Sequence, residues 1–120
     1  MLIELNEREI STIKRILKEN DKKVDVKKTY YDSGALLSET PYINGKIHGV
    51  MKEYYESGKL EWEIPYVNGK IHGVPKTYYE SGALRGEIPY VNGELHGVEK
   101  EYSESGKLLS TTEYKNGNIV

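Results

Sequence analysis

Three histidines, His48, His72 and His96, stand 24 residues apart, and each precedes a glycine. Imidazole is a common metal ligand and proton carrier, so a trio at fixed spacing raises both chemistries. The spacing itself argues against a shared ion. If 24 residues make two strands, equivalent positions lie ~10 Å apart, whereas ligand nitrogens sit ~2 Å from a metal. A turn-flanking histidine is the simpler reading. Ser33, Ser57, Ser81 and Ser105 recur at the same interval, each before a glycine. Serine suits turns, and no His or Asp accompanies these at a nucleophile's spacing. Glu61 and Glu63 alternate among lysines as on a solvated sheet face, and no glycine-rich loop leads into a helix as a phosphate cradle requires. The expectation is no catalytic residue, no metal and no cofactor.

The elements that position these residues are copies of one unit. Gly34, Gly58, Gly82 and Gly106 form one series, and Gly45, Gly69, Gly93 and Gly117 another. The blocks are 26–49, 50–73, 74–97 and 98–120, the last one shortened. A fixed period of this kind marks stacked supersecondary units. Residues present in every copy build the unit, and residues that differ between copies become the candidates for function.

Each block carries two turn signals. Asn-Gly at 44–45, 68–69, 92–93 and 116–117 is a strong hairpin signal, because both residues tolerate positive φ. Ser-Gly is the second. The segments between are rich in Tyr, Val, Ile and Leu and suit strands. The fold expected is mainly β: a single elongated, twisted antiparallel sheet of stacked hairpins, each touching only its neighbours. A three-residue loop Glu56-Ser57-Gly58 would set Tyr55 against Lys59, Tyr54 against Leu60, Lys52 against Trp62 and Val50 against Ile64. One face would then collect Val50, Tyr54, Leu60, Trp62, Ile64 and Tyr66, and the other Glu53, Tyr55, Glu61, Glu63 and Pro65. Pro41, Pro65 and Pro89 should mark a bulge or a side of the strand without a partner.

Residues 1–25 stand outside the period. Asn6 and Glu9 resemble a capping box, and Ile10, Ile13, Ile16 and Leu17 recur at helical spacing. A helix over about 7–19 is expected, its apolar stripe covering the first hairpin as an N-terminal cap.

Composition sets outer bounds. The 120 residues hold no Cys and no Phe but 11 Tyr, and only 37% are hydrophobic. A thin body suits such a chain better than a deep core, and tyrosine can pack its ring while its hydroxyl reaches water. No leader or membrane-spanning run is visible, so a soluble cytoplasmic protein is expected. Residues 1–29 carry eight Lys/Arg and six Asp/Glu, and residues 30–120 carry nine and thirteen. Residues 30–120 are thus acidic by four charges. That disfavours nucleic acid and anionic membrane as ligands and favours a basic protein partner.

The repeat resembles the MORN family in its divergent bacterial variant. The run Tyr66-Val67-Asn68-Gly69-Lys70-Ile71-His72-Gly73 followed by Tyr78-Tyr79-Glu80-Ser81-Gly82 carries the resemblance, which spans about three quarters of the chain. Tyr-Tyr-Glu-Ser-Gly-Lys-Leu is most similar to the antitoxin-like YwqK-type proteins. The family's Gly-x-Gly is absent, since Met51, Pro75 and Glu99 take that place, which sets the chain apart from the membrane-linked eukaryotic members. The resemblance implies one antiparallel sheet used as an interaction surface.

The copies disagree at a few positions. Trp62 replaces Ser38, Gly86 and Ser110, and Arg85 stands where Leu37, Glu61 and Leu109 stand. Tyr31, Tyr55 and Tyr79 align with Ser103 and form either an exposed binding row or a ladder that stiffens the sheet. The candidate binding residues are Tyr31, Tyr55, Tyr79, Glu61, Trp62, Glu63, Arg85 and Glu87, with Glu63 and Glu87 steering a basic toxin or nucleic-acid-processing enzyme. The open C-terminal edge could pair with a second copy.

Overall fold

The computed structural model describes residues 4–20 and 23–120. Helix α1 (Glu7–Asn20) comes first, then β1 (Val24–Tyr30), β2 (Leu36–Ile43), β3 (Lys46–Ile47), β4 (Gly49–Tyr54), β5 (Leu60–Val67) and β6 (Lys70–Ile71). β7 (Lys76–Tyr78), β8 (Leu84–Glu87), β9 (Tyr90–Val91), β10 (Glu94–Leu95), β11 (Gly97–Tyr102), β12 (Leu108–Lys115) and β13 (Asn118–Ile119) follow. The main sheet runs β1-β2-β4-β5-β7-β8-β11-β12-β13, with β3 on β2 and β6 on β5. All its pairs are antiparallel, so it is the meander of hairpins the sequence predicts.

Both turns form as their residues dictate. Asn44, Asn68, Asn92 and Asn116 take φ near +50°, each followed by a glycine at positive φ, the two-residue turn that matches strand twist. At the other end the Gly58 N–H donates to the Tyr55 carbonyl (2.8 Å), and the Tyr55 N–H to that of Lys59 (2.8 Å). That closes the three-residue loop, with Gly58 at φ +93°.

The register departs from expectation one step later. Tyr54 pairs with Leu60, but Glu53 then pairs with Trp62, leaving Glu61 as an extra residue. The same slip occurs in the other hairpins, at Leu37, Arg85 and Leu109. A one-residue bulge reverses the side on which every later residue falls. Trp62, Ile64 and Tyr66 therefore lie opposite Glu53, Met51 and Gly49, on a different face from Val50, Lys52 and Tyr54.

The prolines sit where a strand changes partner. Beyond Pro41, β2 pairs with β3 through Tyr42 and Ile43; before it, with β4 through Ser38 and Glu39. The Pro41 carbonyl accepts the His48 N–H at 3.1 Å, and Pro65 and Pro89 repeat this with His72 and His96. The return of the chain is tight. A Cβ on Gly73 (φ +122°) would lie 3.0 Å from the Pro65 ring.

No hydrophobic side chain is fully buried among the described residues; the buried polar ones are Ser38, Thr40 and Thr77. A radius of gyration of 19.5 Å compares with ~14 Å for a compact chain of this length. Cohesion comes from ladders and from joints between repeats.

The expected helix forms. The Glu9 N–H donates to Asn6 Oδ1 at 2.8 Å, and the Asn6 N–H to the Glu9 carboxylate at 3.3 Å. Its role as a cap over the first hairpin is not seen: Ile10, Ile13, Ile16 and Leu17 are 39–58% exposed, and β1 is exposed throughout. The intended cap segment includes residues 1–3 and 21–22, which lie outside the described residues. Among the described residues, no helix is long and apolar enough to cross a membrane.

Candidate functional site: a groove where the copies differ

Each joint between repeats is closed by the same three bonds. The Tyr31, Tyr55 and Tyr79 hydroxyls donate to the backbone carbonyls of Tyr54, Tyr78 and Tyr102, at 2.6, 2.5 and 2.8 Å. The Gly69, Gly93 and Gly117 N–H groups donate to the carbonyls of Ile47, Ile71 and Leu95, all at 2.8 Å. The Asn68, Asn92 and Asn116 N–H groups donate to Nδ1 of His48, His72 and His96, at 3.2, 3.1 and 3.3 Å. Each imidazole is thus an acceptor at Nδ1 and carries its proton on Nε2. The tyrosine column ties neighbouring repeats together, with its hydroxyls committed to backbone carbonyls. Ser103, the fourth member, bonds within its own loop, to Ser105 and to the Lys107 N–H.

Cross-strand partners share a face, so the register sorts the remaining candidates. One row reads Lys28, Glu39, Lys52, Glu63, Lys76, Glu87, Lys100 across seven strands, strictly alternating in sign. Glu63 and Glu87 are each flanked by two lysines, and Glu63 also accepts the Tyr78 hydroxyl at 2.6 Å. Burial, then the Glu63 hydrogen bond, push the Tyr78 phenol up to about 12. This pair lies in the alternating row, on the face of the sheet away from Trp62.

The adjacent row, on the opposite face, reads Thr29, Ser38, Glu53, Trp62, Thr77, Gly86, Glu101, Ser110. It contains no cation. Trp62 and Glu101 stand three strand spacings apart, ~14 Å between backbones, and the row between them is floored by Thr77 and Gly86, both buried. This leaves a groove of about 410 Å³, lined also by Glu61, Tyr79, Arg85, Glu99 and Leu109. That volume falls within the range of binding pockets. Gly86 opens it: a Cβ there would meet the Lys100 carbonyl at 3.3 Å and Thr77 Cγ2 at 3.4 Å.

Four of the sequence-derived candidates therefore meet: Trp62, Glu61, Arg85 and Tyr79. Glu61 and Arg85 arrive as successive bulge residues. Arg85 lies exposed at the rim, its guanidinium 5.4 Å from the Tyr79 ring centre. Tyr31 and Tyr55 belong to earlier joints. Sequence alone does not single out Thr77 or Glu101, whereas Glu99 stands in the variable column of Met51 and Pro75. The Ser110 hydroxyl donates to one Glu101 oxygen at 3.4 Å. Hydrogen bonding to Glu99, then burial, raise the Tyr114 phenol above its ordinary value.

No curated protein matches the chain. Among solved structures, the crystal structure of TarM aligns at a TM-score of 0.49 with 11% identity, over 89% of this chain and 24% of that one. The chain thus spans about a quarter of the length of that structure. The model of the MORN repeat variant matches residues 26–44, 47–68, 71–92 and 95–116, one match per hairpin unit. With the period, the paired turns and the continuous meander all in agreement, the chain belongs to the MORN repeat variant family.

Proposed function

We propose that the chain is a non-catalytic module that binds a protein on its Trp62 face and neutralises it by covering its working surface. It would act as an antitoxin- or immunity-like inhibitor of a bacterial toxin or nuclease does. One observation carries the reading: positions where the copies depart from their own pattern, among them Trp62, Arg85, Gly86 and Glu99, converge on a single groove. Structural demands are the same in every repeat and cannot account for such departures. An aromatic ring within a concave face and an arginine at its rim are residue types that dominate binding energy at interfaces.

The test is site-specific photocrosslinking in a bacterial host, with the reactive residue at 109 in the groove or at 50 on the other face. The expected result is one protein crosslinked from 109 and not from 50, whose activity in purified form falls when the module is added. Crosslinking from 50 alone, or unchanged activity of the captured protein, would sink the reading. A membrane-associated array is the weaker alternative, because anionic lipid is repelled by the carboxylates of this face. Sedimentation with anionic vesicles tests it.

A further inference from the structure

The charges of the two faces are arranged differently. On the lysine face every glutamate of the alternating row has cationic neighbours across the strand. On the groove face Glu61, Glu99 and Glu101 line the cavity with Trp62, and the row through Trp62 offers them no cation. Lys100 lines the groove too, but it pairs with Glu87 and so belongs to the opposite face. The Arg85 guanidinium is at the rim, over Tyr79. Among the described residues no glutamate of either face has a basic group within ion-pair distance; the groove carboxylates differ in having no lysine in register beside them in the row through Trp62.

We propose that this groove is a receptor for one arginine side chain, presented by an extended basic segment of the protein partner. Its aliphatic stem lies over the Thr77–Gly86 floor. Its guanidinium stacks against the Trp62 indole and takes the Glu101 carboxylate, whose other oxygen Ser110 holds. Two features make the match. A planar cation is attracted to an indole face, most strongly where water is excluded. A guanidinium fork fits a carboxylate in a way an ammonium does not. Gly86 is the permissive residue, because the serine found at positions 38 and 110 would stand in the floor. The inference rests on the reading of this face as a protein-binding surface and names the chemistry it recognises.

Trp62 is the only tryptophan, so its fluorescence reports the groove directly. The intact protein is titrated with capped Gly-Gly-Arg-Gly-Gly and with the same peptide carrying citrulline, the neutral isostere. A saturable change with arginine and none with citrulline is expected, with affinity roughly tenfold lower in Glu101→Gln. Gly86→Ser should also weaken binding while leaving the circular dichroism spectrum unchanged. Equal saturation by the citrulline peptide, or no saturation by either, overturns the proposal. The two readings fail separately. A partner crosslinked from 109 whose affinity is untouched by Glu101→Gln removes the arginine assignment and keeps the binding face. Saturation by arginine with no protein crosslinked from 109 keeps the cation receptor and removes the inhibitor reading.

Discussion

The Tyr55 hydroxyl donates to the backbone carbonyl of Tyr78, 23 residues on, at 2.5 Å. A side chain of one repeat thereby holds the last strand residue before the next repeat's loop, and Tyr31 and Tyr79 do the same at their own joints. Tyr55→Phe keeps the ring and removes the bond. It should cost about 1 kcal/mol in urea unfolding. Tyr30→Phe, at an exposed position with 59% of its surface in water, should stay within about 0.5 kcal/mol of wild type. Equal losses for the two would show that the staple contributes nothing.

Gly73→Ala meets two obstacles, a positive φ and the Pro65 ring 3.0 Å from the new Cβ. The expected destabilisation is about 2 kcal/mol. Gly58→Ala has positive φ but open space, so about 1 kcal/mol is expected. The double variant Pro65→Ala/Gly73→Ala should cost less than the two single changes added together, since the ring clash is shared. Strict additivity in thermal melts would refute the steric part.

Alkaline stability should track Tyr78. Its folded-state value is raised from 10.0 to about 12, so the folded form holds the proton more tightly than the unfolded chain. The resulting stability is fully present below pH 10 and is lost as the pH climbs from 10 to about 12. Burial, its leading cause, raises Tyr31, Tyr54 and Tyr66 in the same direction. Glu63→Gln removes the hydrogen-bonded carboxylate and should lower the pH at which Tyr78 ionises, read by tyrosinate absorbance against Tyr78→Phe.

His72 should act as a backbone acceptor rather than as a ligand or acid. His72→Phe removes the partner of the Asn92 N–H and should speed hydrogen exchange at that amide. His72→Asn places a carbonyl near the lost Nδ1 and should restore protection partly. Unchanged exchange in His72→Phe would argue that the turn holds without it.

The turns were legible because Asn44-Gly45 and its three counterparts demand a conformation that other residue pairs resist. The face of Trp62 was not. Its side depends on a bulge whose extra residue is Leu, Glu, Arg and Leu in the four copies, so the bulge has no residue-type signature. The groove was half legible. Trp62 and Arg85 stand out as breaks in their columns, whereas Thr77 and Glu101 share a column with Thr29 and Glu53 and read as ordinary polar strand positions. Gly86 registers in sequence only as an alternative to tryptophan; the cavity it creates needs the register. The helix was legible as a helix, but apolar periodicity does not state what, if anything, an apolar stripe packs against.

β7 is three residues long, between β5 of eight and β8 of four. Pro75 shortens it: the Ile88 N–H donates to the Pro75 carbonyl, and proline has no N–H to return. This interrupted strand supplies Thr77 to the groove floor. The hairpin under the candidate binding surface is therefore held by a shorter ladder than the equivalent hairpins of the other repeats. The floor between Trp62 and Glu101 thus rests on few ladder positions, so the groove is set by Thr77 and Gly86 more than by a long strand beneath them.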